Sequence, residues 1–112
     1  MLTITNTQLN HLRQQKLVLA IDKTVAALQP EFANWQAPEG EGLAFWINKQ
    51  MRMAHDDFGI RSIKALRHFA YLSLLHPVLR QTPLPQGLLE CLNWPGLPDE
   101  VKLEELENRL EN

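Results

Sequence analysis

Hydrophobic positions recur at spacings of three and four along most of the chain, and this period predicts helices. From about Asn6 to Gln29, Val18, Ile21, Val25 and Leu28 form a stripe that Leu17 widens, and Leu9 and Leu12 open a similar face one turn round. Asn6 or Thr7 is placed to cap the start, and Pro30 stops the helix. A second helix is predicted from about Leu43 to Phe58, with Leu43, Trp46, Ile47, Gln50, Met51, Ala54 and Phe58 on one side and Glu39 and Glu41 near its positive end. Gly59 follows as a left-handed cap, and Ile60 turns back towards the core. Ser62 then caps a third helix running to about Leu75, whose stripe is Ile63, Leu66, Phe69, Ala70, Ser73 and Leu74; His76-Pro77 ends it.

The rest of the chain is more punctuated. Pro83, Pro85 and Gly87 mark an extended link, and Leu88, Leu89 and Leu92 a short fourth helix. A turn at Trp94 to Pro98 precedes a last helix that starts near Asp99 and carries the narrow stripe Leu103, Leu106, Leu110. Glu105 and Arg109 stand at the supportive four-residue spacing, and Val101 lies off the stripe. No segment alternates with a period of two. The predicted fold is therefore all-α, a small bundle of four to five helices, three long and one or two short towards the C-terminus. Residues 1–98 make the bundle domain. Residues 99–112 are an acidic amphipathic C-terminal helix, either part of the same domain or a docking tail.

A length of 112 residues is enough to bury a core without a metal or disulfide staple. Cys91 is the single cysteine, which excludes an internal disulfide and sites built on several thiolates; a reducing cytoplasm is the expected setting. No apolar run reaches the ~20 residues of a membrane span, and Met1 to Gln15 lacks the pattern of a secretory signal. The net charge of −2 hides an asymmetry: +3 over residues 1–80, −1 over 81–98 and −4 over 99–112.

Catalytic chemistry finds little support. His11, His55, His68 and His76 include no pair at metal-binding helical spacing, and His55-Asp56-Asp57 reads as a polar helix end. Cys91, in a leucine-rich stretch, reads as a small buried hydrophobe. Gly40-Glu41-Gly42 sets a carboxylate where a phosphate would sit. No catalytic residue, cofactor or metal site is expected. A nucleic-acid-binding reading rests on the glycine turn between the second and third helices and on Arg61, Lys64 and His68 along one edge of the third, with Lys49, Arg52 and Arg67 nearby. Asp56 and Asp57, facing the same way, oppose it. Binding to another protein has three carriers. Trp35 and Trp94 stand in loops beside prolines, plugs or anchors, and the C-terminal leucines Leu103, Leu106 and Leu110 lie on a helix too short to persist alone.

The order of these elements also carries a resemblance. Leu9, Leu12-Arg13 lead into a long helix that ends at Pro30-Glu31, and a second helix ends in Ala54-x-x-x-Phe58-Gly59-Ile60. The third begins Ser62-x-x-x-Leu66-x-x-Phe69-Ala70-x-Leu72, followed by a proline-rich link and a short helix with Leu88, Leu92 and Trp94. Over roughly residues 5–95 this resembles the small helical accessory proteins encoded beside effector and spike genes of bacterial type VI secretion systems. The resemblance implies a non-enzymatic, cytoplasmic role as co-chaperone or adaptor cofactor in loading an effector, with an effector, adaptor or spike component as protein partner. A nucleic-acid-binding regulator and an immunity protein against a neighbouring toxin are the alternatives, and self-association is open.

Overall fold

The computed structural model describes residues 6–35, 40–80 and 84–111, and the side chains of these apart from 6–14 and 80. The expectations for Glu39, for Pro83, for the Asn6 and Thr7 caps and for the side chains of Leu9, His11 and Leu12 lie outside that description. Five α-helices follow in order: α1 (Asn6–Leu28), α2 (Leu43–Asp56), α3 (Ile63–Leu75), α4 (Gln86–Leu92) and α5 (Asp99–Glu111). A single 3-10 turn, Pro77–Arg80, leads out of α3. No strand occurs among the described residues.

Local chemistry sets the boundaries. The Ser62 hydroxyl accepts a hydrogen bond from the Ala65 N–H at 3.3 Å, supplying one orphan donor at the start of α3. Gly59 adopts φ +67°, open to glycine at no steric cost, and so lets the chain reverse after α2. The reversal brings the Ile60 N–H to the Ala54 carbonyl at 3.1 Å and drives Ile60 fully inside. At the other end of α3, His76 is extended ahead of Pro77, as a residue preceding proline must be.

Three helices form the first layer. Val25 of α1 and Gln29 just after it stand beside Leu43 of α2, while Leu17 stands beside His55, so α1 and α2 run antiparallel. Leu17 also meets Ile63 and Leu66, and Thr24 meets Arg67 further up, so α3 runs parallel to α1. In this register Leu17 is level with the end of α2 and the start of α3. The first ten or so residues of α1, at 1.5 Å each, therefore run on past that end. α5 lies parallel to α3 on its other flank, and α4 runs antiparallel to α5.

One continuous core joins all five helices, with Ile47, Met51, Phe69, Leu92, Leu103 and Leu106 among its fully buried members. The predicted face of α2 is the buried one, from Trp46 to Phe58. α1 differs. Val18, assigned to its apolar stripe, is 41% exposed, and the inward face is Leu17, Ala20, Ile21 and Thr24. Leu17-Val18-Leu19 leaves the phase of the stripe ambiguous, and a threonine decides it. The Thr24 hydroxyl donates to the Ala20 carbonyl at 2.7 Å, which satisfies it inside the core. Ile63, expected in the α3 stripe, is half exposed because at the first position of α3 it overlooks the rim of the bundle.

Gln50 is buried in α2, and its Oε1 takes no hydrogen bond among the described residues. A buried unpaired amide oxygen is destabilising. Gln50→Met keeps the shape and removes that group. It is expected to stabilise the fold by about 1 kcal/mol, read as a rise in thermal midpoint, with unchanged far-ultraviolet circular dichroism.

Candidate protein-docking cleft

The C-terminal helix is an integral part of the bundle. Leu103 and Leu106 are fully buried in the common core, and Leu110 is partly buried against it. The expectation that Leu103 and Leu106 offer contact to a partner is corrected: their side chains are spent on α5's own domain. α5 (Asp99–Glu111) thus packs within the bundle, and its removal would uncover the core. Trp35 is partly buried and plugs one end of the bundle beside Phe32 and Leu43. Trp94, in the turn before α5, is 50% exposed, so of the five candidate contact residues it presents the most free surface.

Charge completes the docking of α5. The Asp99 carboxylate accepts from the backbone N–H groups of Arg61 at 2.9 Å and Ser62 at 2.8 Å. Asp99 opens α5, and its side chain holds the entry to α3. Ser62 donates to Glu100 Oε1 at 2.7 Å, and this hydrogen bond is the main reason the Glu100 carboxyl lies below its ordinary value. Further along, a His68 ring nitrogen stands 3.0 Å from Glu107. Cys91 is fully buried between α4 and α5, with its Sγ 3.3 Å from the Lys102 carbonyl, and burial pushes its thiol up.

These contacts act directly on the nucleic-acid reading. The basic edge of α3 faces the acidic first turn and flank of α5. The Arg61 backbone is held by Asp99 and its guanidinium donates to the His55 carbonyl. Lys64 lies within the field of Glu100, and His68 within reach of Glu107. Arg67 points the other way and donates to Thr24 Oγ1 at 3.2 Å. The acidic start and flank of α5 therefore lie beside the basic edge of α3, where they would face a phosphate backbone. The histidines are likewise dispersed: His55 pairs with Asp56 at 2.8 Å, far along the chain from His68 and its glutamate. Among the described residues no three potential metal ligands converge.

What the packing leaves open is a cleft between α1 and α3 at the level of the α2–α3 turn. Its volume is about 380 Å³, at the small end of the roughly 300–1,000 Å³ typical of binding pockets. Leu17, Ala20 and Leu66 form an apolar floor, half-exposed Ile63 one wall, and Lys16, Arg61 and His55 the polar rim. The Arg67–Thr24 hydrogen bond stands further along the same α1–α3 seam. Sequence reasoning missed this site because it assigned Ile63 to the core. The signal that could have found it is the position of Ile63 immediately after the Ser62 cap, where a helix has only begun to enter its layer.

Two outcomes test the α3–α5 clamp. Asp99→Ala leaves two backbone donors without their acceptor and is expected to destabilise the protein by about 1–2 kcal/mol in chemical denaturation. The lowered Glu100 carboxyl contributes stability that is present above its ordinary value of 4.5 and lost as pH falls below it. Glu100→Gln should therefore flatten the fall of thermal midpoint with pH on the acid side of 4.5 and change its slope little near neutrality.

No helix among the described residues is long and apolar enough to cross a membrane. No family model matches the chain, and neither the curated proteins nor the solved structures hold a match to it.

Proposed function

We propose that this protein is a non-catalytic binding module that acts by seating part of another protein in the α1–α3 cleft. The observation that carries the reading is the cleft itself: a preformed apolar floor with a half-exposed isoleucine wall, ringed by polar groups. That layout, apolar centre within a polar rim, is the anatomy of protein interfaces. Half-exposed Trp94 adds an aromatic anchor of the kind enriched at interface hot spots. The carboxylates of α5 that lie beside the basic edge of α3 favour a protein partner over nucleic acid. The type VI resemblance supplies the partner class we favour, an effector, adaptor or spike component, with the protein as cytoplasmic loading cofactor.

The test is co-expression with the products of adjacent genes, followed by co-purification and by a growth assay. Ile63→Glu sets a charge at the cleft wall, on a side chain already half in solvent, so the fold should persist. Capture of the partner is expected to fall at least tenfold. Undiminished capture by this variant, with a folded circular dichroism spectrum, would dismiss the cleft as the binding site. Rescue of growth from a co-expressed toxin would assign the immunity role in place of loading.

A further inference from the structure

We infer that the protein associates with copies of itself head to tail, the outer face of α2 in one chain meeting the outer face of α5 in the next. The α1–α3 cleft takes no part in this contact, so the inference stands apart from the functional reading above. The outward patterns of the two helices carry it.

α2 gives one side to the core, from Trp46 and Ile47 to Ala54. Its opposite side sets Phe45, Asn48, Lys49 and Arg52 at three- and four-residue spacing, so they share one face. Phe45 is 51% exposed on that face. The Lys49 ammonium stands 4.6 Å from the centre of the Trp46 ring, and Arg52 Nε donates to Asn48 Oδ1 at 2.6 Å. Neither contact neutralises its cation, because an indole ring and an amide carry no net charge. Within α2 the one carboxylate is Asp56, at the last residue, and it stands 2.8 Å from His55.

α5 shows the inverse. Leu103 and Leu106 enter the core, and Val101, Glu104, Asn108 and Glu111 line the opposite side, again at spacings of three and four. Val101 is 41% exposed, and Glu104 and Glu111 are exposed beyond it. The cations of α5 stand off this face. Arg109 pairs with Glu105 at 3.0 Å and donates to the Gly87 carbonyl, and Lys102 is partly buried.

Each outer face therefore sets an exposed apolar side chain beside charge of one sign, positive on α2 and negative on α5. The two helices lie on different flanks of α3 with these faces turned outward, so the faces cannot meet within one chain. Between chains they can. Phe45 and Val101 would leave water together, and Lys49 and Arg52 would gain the glutamates. Pairing α2 with α2, or α5 with α5, would set like charges against each other. The contact is accordingly heterologous: it uses one face from each chain, leaves an unused face at either end and lets assembly continue beyond a dimer.

The test is sedimentation velocity on the full chain at low salt, from low to high micromolar concentration. The sedimentation coefficient is expected to climb past that of a dimer and to fall back as salt is raised. Lys49→Glu and Glu104→Lys each reverse the charge of an exposed side chain, so both should keep a folded circular dichroism spectrum. Either alone is expected to weaken association at least fivefold. An equimolar mixture of the two variants should restore it, since each then offers the face that the other needs. Lys23→Glu makes the same charge change on an exposed position of α1 and should leave association unaltered. Association that ignores both reversals, that the mixture fails to restore, or that stops at a dimer overturns the inference. So does a monomer at every concentration; if Lys49→Glu then also loses a captured partner, the α2 face belongs to that partner and not to a second copy.

Discussion

α3 is buried from two sides, and the rest of the architecture is arranged around that. Phe69, Ala70, Leu72 and Leu74 are inaccessible because α1 and α2 cover one flank while α5 covers another. A helix in that position cannot leave the donors of its first turn to water. Ser62 meets one of them from α3's own cap, and just ahead of α3 Asp99 meets the N–H groups of Arg61 and Ser62 from 38 and 37 residues away. The start of α3 and the start of α5 are consequently one structural unit. Once they are joined, the parallel run of α5 along α3 places Leu103 and Leu106 in the core and Glu107 beside His68.

The same arrangement governs where the surface remains active. The chain is nearly neutral overall, yet its basic first eighty residues and acidic C-terminal helix are strongly unlike. Folding lays the acidic helix along one flank of α3, beside part of the basic segment, which weakens the long-range attraction of polyanions to that flank. On the other side α1 lies against α3 and leaves the cleft at the level of the α2–α3 turn. Lys16, Arg61 and half-exposed Ile63 border the cleft there, and the functional proposal depends on it.

Polar groups inside the core behave according to how they are satisfied. Thr24 is buried without penalty because its hydroxyl donates to Ala20 and accepts from Arg67, tying α1 to α3 through a side chain that its polarity alone would set on the surface. The Cys91 thiol is turned to the Lys102 carbonyl between α4 and α5. Gln50 stands apart, since its carbonyl oxygen has no such partner among the described residues and its place in the α2 face rests on shape.

By itself the sequence determined the helices and their ends. The three- and four-residue spacing, Gly59, the Ser62 cap, His76-Pro77 and the Asp99 start are local signals, each acting within about one helical turn, and a linear reading captures such signals. It also placed the α2 face, where polar residues on the outside leave a single phase. Tertiary structure decided what depends on neighbours distant in the chain. The phase of α1 was settled by packing of Leu17, Ala20, Ile21 and Thr24 against the other helices, because Leu17-Val18-Leu19 offers apolar surface in more than one direction. Whether Leu103 and Leu106 face the chain's own bundle or another protein was set by the reach of Asp99 to α3. The cleft exists only where α1, the end of α2 and the start of α3 come level, a register that no spacing within any one of those segments encodes.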